Sequence, residues 1–413
     1  MYKKISCSAF SFAVANAFAA FSQLYIALIT ASFLDSVAFG FFSIYLVSVS
    51  LFTQALGLGL TASIQRDFFQ TTITEFQVSV SSSIYVMVLF FIVVFFGVGS
   101  FFWFKEVLFN VPVLVFFFAV LAGFFYSLQQ VLLIIWQSEG SNKQYFIFSV
   151  TFSLALIVSA IYAIYDAEPG WFNIAAALTI VYVMGGVGSA LLLARKGLLV
   201  LRLCMSRLKV SLLYSLPLVP HQLSGWGMAM LDRFLIVSFN GPAAVGAYSL
   251  SFQVAQALNV LSGGFNQAFT PWLFKRLKDN FGKSDSAVLR IVGIYVFFVI
   301  AAGFLAYYSY RFAVVYFDNE EHRAALTYAP WLLLAMSMNA IYRLFNSFIM
   351  FDGHTGRLAI LSGLITIISF IANYFLIKAF GAIAASWTCA LSFTLLAVCS
   401  AMIAFFGRCG RGT

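Results

Sequence analysis

The sequence predicts an all-α polytopic membrane protein, with about twelve transmembrane helices in two six-helix lobes around a central cavity. Three observations carry that expectation. Of the 413 residues, 62% are hydrophobic and only 9% charged, at a mean hydropathy of +0.98; about a quarter charged is usual for a soluble chain. Apolar runs of about 18 residues or more recur along the whole length, each able to cross a ~30 Å hydrocarbon core as a helix. The runs are also continuous, whereas a β-barrel would alternate in segments of ~10 residues.

The first run opens "MYKKISCSAFSFAVANAFAAFSQLYIALIT". Lys3 and Lys4 precede it, and Ala15-Asn16-Ala17 imitates a cleavage site. The apolar character continues through Ile29, too far for a short signal-peptide core, so this is expected to be the first span, Ser6–Thr30. The others are expected at Ala38–Ile64, Val78–Phe104, Asn110–Trp136, Gln144–Tyr165, Trp171–Ala194, Ser211–Phe239, Ala243–Leu273, Val288–Tyr310, Leu326–Phe351, Leu358–Ile377 and Ala382–Phe406. With a cytoplasmic N-terminus, seventeen of the twenty-three Lys and Arg fall inside and four outside, while Arg233 and Arg343 lie within spans. The positive-inside rule then places both termini in the cytoplasm. It also accounts for the net charge of +9 without nucleic acid.

The expected domains are an N-terminal six-helix lobe, 1–194, a basic cytoplasmic linker, 195–210, and a C-terminal lobe, 211–413. The longest external connection, "YFDNEEHRAALTY" at Tyr316–Tyr328, is short and acidic. Cys7, Cys204, Cys389, Cys399 and Cys409 show no C-x-x-C spacing, and on this topology disulfides are not expected. Gly282-Lys283-Ser284 lacks the first glycine of a nucleotide loop, where Leu277 stands. His221, His322 and His354 form no metal spacing, and no G-x-S-x-G or H-E-x-x-H occurs. No enzyme chemistry, metal or cofactor is therefore expected.

A shift of 206 residues lays "AFGFFS" (Ala38–Ser43) on "AVGAYS" (Ala244–Ser249), and a shift of 213 lays Glu139-Gly140 on Asp352-Gly353. Each pair stands at an equivalent place in its half. Six spans per half keep both halves in one orientation, so a binding site is expected between them near the midplane. Polar stripes at helical spacing coincide under the same shift. Span one carries Asn16, Ala20, Gln23 and Ala27, and span seven answers with Gln222, Trp226, Ala229 and Arg233. Span two carries Ser43, Ser50, Gln54, Gly57 and Thr61, against Ser249, Gln253, Gln256, Gly263 and Gln267 in span eight. Span ten carries Asn339, Arg343 and Asn346, against Tyr126, Gln130 and Leu133 in span four. Such stripes either line a hydrated cavity or act as polar glue between helices.

Charges at the bilayer centre cost roughly 2.5–3.5 kcal/mol and normally face the bundle interior. Asp232 and Arg233 are adjacent, so on an unbroken helix they point ~100° apart and need separate partners. Arg233 and Arg343, at different depths, are candidate cavity cations for an anion that travels between them. Asp232 reads either as a structural partner or as a proton or cation site, and His221 either as a titrating or as a hydrogen-bonded structural residue. Pro217 and Pro220 should loosen span seven.

Three segments resemble bacterial polysaccharide flippases. "SLPLVPHQLSGWGMAMLDRFLIVSFNGPAAVGAYSLSFQVAQAL" (Ser215–Leu258) resembles their seventh and eighth helices, with D-R-F followed by G-x-x-x-V-G-x-Y. "LDSVAFGFFSIYLVSVSLFTQALGLGLTASIQRD" (Leu34–Asp67) resembles their second, with F-G-x-[YF]-S and a late G-L-G-L. "NSFIMFDGHTGRLAILSGLITIISFIANYFLIKAFGAIAASWTCALS" (Asn346–Ser392) is similar to their last three. The resemblance implies the O-antigen and exopolysaccharide branch of the multidrug/oligosaccharidyl-lipid/polysaccharide exporter superfamily. It implies alternating access that carries an undecaprenyl-diphosphate-linked oligosaccharide from the cytoplasmic to the periplasmic leaflet. Membrane lipids, a coupling proton or sodium ion, and neighbouring polymerases or ligases are the implied partners. Arg233 falls in the D-R-F match. With few cavity charges, the sugar unit is expected to be neutral.

A multidrug exporter of the same superfamily would favour a carboxylate-biased cavity, and two arginines against one aspartate lean the other way. A membrane-embedded O-antigen polymerase or ligase needs a large external loop that this chain lacks. "IQRDFFQTTITEFQ" lacks the G-x-x-x-D-R-x-G-R pattern of a major-facilitator transporter.

Overall fold

The computed structural model describes residues 2–104, 106–165, 170–200, 204–279, 286–317, 320–351 and 355–409, nearly all helical. Ten of the described helices are long and apolar enough to cross a membrane by length and composition, and they coincide with expected spans one to six and nine to twelve. The chain divides into two compact units, Met1–Trp226 and Gly227–Thr413.

The first unit holds α1 (Tyr2–Phe33), α2 (Ser36–Gly57), α3 (Leu60–Gln70), α4 (Ile73–Phe104), a hairpin of β1 (Val107–Leu108) and β2 (Val111–Pro112), α5 (Val113–Glu139), α6 (Asn142–Tyr165), α7 (Trp171–Arg195), α8 (Met205–Ser215) and most of α9 (Leu218–Met230). Asp35 caps α2 by accepting the Ala38 amide at 2.7 Å, the usual service of an N-cap carboxylate. Span two was expected to run unbroken to Ile64. It breaks instead at Leu58 and Gly59, both left-handed at φ 48° and 64°. The break ends the apolar helix and releases α3, whose Arg66 and Asp67 suit a membrane boundary rather than a core. Gly59 is favoured in a second way, since a Cβ there would lie a tight 3.0 Å from the Ser215 carbonyl oxygen. The β-hairpin turns through Phe109 and Asn110, left-handed at φ 53° and 60°, which delays span four to Val113.

Within this unit α5 packs on α2 and α7. Gly123 sets the first crossing: a Cβ there would stand 2.7 Å from Phe52 Cβ and 2.9 Å from the Thr53 nitrogen. Gly186 sets the second, 2.6 Å from the Phe125 carbonyl oxygen. Small residues thus let helix backbones approach where lipid supplies no hydrophobic drive. Phe91 stacks on Phe124 at 4.1 Å, and Tyr45 donates to Thr179, whose own hydroxyl is spent on Ala175. The serine run of α4 serves the connection that follows α7. Ser81 donates to the Leu198 carbonyl at 2.9 Å and accepts the Val200 amide at 2.8 Å, and Tyr85 donates to the Val200 carbonyl at 3.1 Å.

The second unit holds the end of α9, then α10 (Asp232–Asn240), α11 (Pro242–Asp279), α12 (Ser286–Phe317), α13 (Glu320–Leu326), α14 (Ala329–Phe351), α15 (Thr355–Phe380) and α16 (Ile383–Cys409). Expected span seven is divided among α8, α9 and α10. Pro217 stands between α8 and α9, and Pro220 sits in the first turn of α9, where its missing amide costs nothing. Leu231 separates α9 from α10, with Phe234 bonding back to it at 3.2 Å in a tightened turn. Expected span eight is a single 38-residue helix, α11, about 57 Å long at 1.5 Å per residue. The connection at 316–328, expected on the external side, contains the short helix α13. At the centre α14 packs on α11, α12 and α16. Asn373 accepts a buried hydrogen bond from Thr388, which ties α15 to α16. Cys204, Cys389 and Cys399 are free thiols; the side chains of Cys7 and Cys409 lie outside the described residues.

Candidate functional site

The first unit encloses an open cavity of about 220 Å³ between α2, α3, α5, α6 and α9. Its polar lining is Gln54, Gln130, Gln137 and Gln222, with the hydroxyls of Thr53, Thr61, Ser127 and Tyr145. No lining residue carries a formal charge. Each amide both donates and accepts, and so do the hydroxyls, so the cavity suits a neutral ligand rich in hydroxyl or amide groups.

Helix geometry explains how these groups converge. Gln54, Gly57 and Thr61 come from the span-two stripe, and the break at Leu58-Gly59 carries Thr61 round with α3. Gln130, Leu133 and Gln137 occupy one face of α5 at i, i+3 and i+7. The mouth is tied to α1 by Tyr145, which donates to Asn16 Oδ1 at 2.9 Å. On the α9 side, Trp226 Nε1 donates to Ser50 Oγ at 2.8 Å while Ser50 donates to the Val47 carbonyl at 2.7 Å. Asn16 therefore borders the cavity through its tyrosine while remaining exposed itself, and Gln23, on the same helix, is exposed too. The backbone of His221 lies in α9; its side chain is outside the described residues.

In the second unit α11 and α14 present facing polar stripes. Asn339 donates to Asn259 Oδ1 at 3.1 Å, and Asn259 donates to Gln256 Oε1 at 2.7 Å. One turn further along α14, Arg343 Nη1 lies against Gly263, where an added Cβ would stand 3.8 Å away. Tyr295 of α12 and Tyr342 are its electrostatic neighbours. Among the described residues no carboxylate pairs with Arg343. Beyond it, Asn346 Oδ1 and both amide atoms of Asn266 are buried without a hydrogen-bond partner among the described residues, a costly arrangement that polar ligand atoms would relieve. Gln253 is half-buried one turn before Gln256.

Asp232 and Arg233 were expected to need separate partners, and here the structure corrects the expectation. Arg233 Nη1 bonds Asp232 Oδ1 at 3.1 Å and the Ala229 carbonyl at 2.9 Å. Tyr248 donates to the other oxygen of Asp232. The guanidinium lies 4.2 Å over Phe252 and 5.3 Å over Tyr248. The reason is the reach of the arginine: its guanidinium folds back along the helix to the Ala229 carbonyl one turn earlier, and from there it meets the carboxylate of its sequence neighbour. Both are nearly inaccessible, at 4% and 2% exposure. The pair is satisfied within its own unit.

Sequence patterning missed Asn259, Asn266, Gln137 and Tyr145 as site residues. Asn259 and Asn266 continue the 256–263 stripe at i+3 and i+10, a spacing that could have found them. Tyr145 carries no such signal, because its place depends on α1 packing on α6.

A family model described as polysaccharide biosynthesis protein matches residues 7–276. Among solved structures, an inward-facing multidrug resistance MATE family transporter of the MOP superfamily superposes with a TM-score of 0.75 at 16% identity, covering 95% of each chain. A MATE transporter in complex with MaL6 gives 0.65 at 15% identity, covering 99% of this chain and 96% of that one. A MOP superfamily transporter from Pyrococcus furiosus gives 0.61 at 13% identity, covering 98% and 96%. At these identities the likeness is one of fold. No curated protein matches the sequence.

Proposed function

Because the chain belongs to the polysaccharide biosynthesis protein family and has the multi-pass helical fold of MOP superfamily transporters, we propose that it is a flippase for a polyprenyl-diphosphate-linked oligosaccharide. It moves the repeat unit from the cytoplasmic to the periplasmic leaflet of a bacterial inner membrane, both termini being cytoplasmic. Alternating access of two six-helix lobes, 1–194 and 211–413, joined by the basic segment 195–210, performs the step. No bond in the cargo is made or broken.

The observation that carries this reading is the division of polarity between the units. The first offers a chargeless, amide-lined cavity suited to sugar hydroxyls, and the second offers Arg343 without a carboxylate partner among the described residues, suited to the diphosphate. Gln54 and Gln222 contact the saccharide, with Asn16 at the rim; Asn339, Asn346, Gln253 and Gln256 accompany Arg343. The multidrug alternative calls for a free interior carboxylate, and Asp232 is already held by Arg233 and Tyr248. Arg233 correspondingly acts on the cargo by positioning α9 and α10 rather than by contact.

Two negative charges moving outward gain up to ~4–5 kcal/mol per 100 mV across an inside-negative membrane. The potential, or a co-moving proton or sodium ion, drives the step, and Asp232 and His221 are the residues to test for coupling. The delivered unit passes to a polymerase or ligase.

Deleting the gene and following lipid-linked oligosaccharide in each leaflet tests the reading. Accumulation on the cytoplasmic face with synthesis intact is expected. Repeat units that still reach the periplasm but are not extended or ligated would sink it in favour of an enzyme.

A further inference from the structure

A polar column runs between α3, α4 and α8 of the first unit. Its members recur every four residues: Gly59, Ser63 and Asp67 along α3, Glu75, Ser79 and Ser83 along α4, and Arg207, Ser211 and Ser215 along α8. Residues at that spacing share a helix face. Contacts fix how the three faces meet. Arg207 pairs with Glu75, and Ser79 Oγ lies 3.4 Å from Ser211 Oγ, so α4 and α8 run parallel at a constant offset of 132 residues. Ser79 also donates to Asp67 Oδ2 at 2.6 Å, while Gly59 lies against the Ser215 carbonyl, so α3 runs the other way. One turn further from the Glu75–Arg207 pair, the register brings Ser63, Ser83 and Ser215 to one level.

These three hydroxyls are each at 0% exposure, and none has a hydrogen-bond partner among the described residues. A helical serine with no other work usually bonds a carbonyl one turn earlier, as Ser127 and Ser189 do here. Three that forgo that bond at one level call for an added group, because buried polar atoms are normally satisfied. Free carbonyl oxygen stands beside them. α8 ends at Ser215, and the Val219 amide that would close on its carbonyl bonds Leu216 instead, at 3.2 Å. Two helix C-termini, those of α2 and α8, end at this level against the single N-terminus of α3, so the partial charges sum to negative.

Charge decides which group fits. The formal charges nearby cancel in pairs, since Arg66 holds Asp67 and Arg207 holds Glu75. A divalent ion takes several carboxylates, and the one that the column brings to its inner turns, Asp67, is shared with Arg66 and Ser79. A singly charged cation needs none, because hydroxyl and carbonyl oxygens can replace its hydration shell where helices break. We infer that Ser63, Ser83 and Ser215, with the Ser215 carbonyl, bind an alkali-metal cation where α3, α4 and α8 meet. The ion pins the α2/α3 break to the end of α8. Gly59 and Thr61 on one side of that junction, and Gln222 on the other, line the amide cavity, so the occupied site holds part of the cavity wall in place.

The test uses the full chain in nanodiscs of zwitterionic lipid, with choline chloride replaced stepwise by sodium or rubidium chloride at constant ionic strength. Radioactive sodium or rubidium should bind saturably, and the melting temperature should climb with the logarithm of ion concentration. Ser63→Ala, Ser83→Ala and Ser215→Ala should each weaken that binding by about 10-fold, the worth of one oxygen on a charge. In choline alone the same variants should melt no lower than the parent, because each deletes a hydroxyl without a partner. Serines with a purely structural role would instead lower the melting temperature equally in choline and in sodium, which would overturn the inference. No saturable binding to the parent chain would show that the column holds water alone, and would overturn it without any variant. Binding kept in full by all three variants would put the ion elsewhere and overturn it too. Saturable binding of sodium, of rubidium or of both, weakened by the variants, upholds the site and identifies the ion. None of these results bears on the flippase reading.

Discussion

Arg233 Nη1 lies 3.1 Å from Asp232 Oδ1, an ion pair between sequence neighbours in which neither partner is more than 4% exposed. Removing one member strands the other in a dry interior. Arg233→Leu should therefore cost about 3–5 kcal/mol, and the double change Asp232→Asn with Arg233→Leu should recover much of it. A double-mutant cycle on unfolding in detergent measures the coupling. Equal losses from the single and double variants would show that the two residues do not act as a unit.

Arg343 has no such partner among the described residues, so its role is read in export rather than stability. Arg343→Ala should lower delivery of repeat units to the periplasmic leaflet by about 10-fold or more, the loss of a charge-assisted contact, and Arg343→Lys should lose less. Membrane insertion and thermal stability should be unchanged in both. Full, equal export by the two variants would remove Arg343 from the path.

The amide-lined cavity predicts binding without a salt signature. Gln54→Leu and Gln222→Leu should each weaken binding of the oligosaccharide portion by about two- to tenfold, the worth of one neutral hydrogen bond. Raising ionic strength should leave that affinity alone, because there is no lining charge to screen. Titration calorimetry with the water-soluble saccharide at two salt concentrations is the measurement.

Gly123 is where α5 meets α2, with Phe52 Cβ 2.7 Å from the position of an added methyl. Gly123→Leu should push the two helices apart and destabilise the first unit by about 1–3 kcal/mol or more. The change should appear as a lower melting temperature on size-exclusion chromatography after heating.

Cys204 lies at the start of α8, outside the candidate spans. Its hydrogen bond with Ser206 at 3.1 Å, then the backbone amide of Arg207, hold the thiol below its ordinary range. A lowered pKa keeps thiolate present as pH falls, so alkylation by iodoacetamide should persist to lower pH than for a free cysteine. Ser206→Ala should move the rate profile back toward higher pH and slow alkylation at neutral pH by about severalfold.

Ten spans and the α11 and α14 stripes were legible because bilayer thickness and helical period act on every turn. Breaks were harder to see. Leu58 is a left-handed leucine inside an apolar run, and only its neighbour Gly59 hinted at a stop. The interruption at Leu231 has no proline or glycine at the site, and the pairing of Asp232 with Arg233 comes from the arginine folding back toward Ala229. Composition and period report where helices can exist, while a cap or a fold-back such as that of Arg233 depends on tertiary surroundings. The cavity showed the same division: Gln54 and Gln222 were visible from their stripes, but Tyr145 enters through the docking of α6 on α1.

The lining amides of the first unit have one further consequence. A carboxamide differs from a carboxylate by a single nitrogen, so the chamber stands one substitution away from having a sign. Gln54→Glu would write that sign in, and a carrier suited to plain hydroxylated cargo would begin to favour amino-bearing cargo, with no change to its walls or its volume.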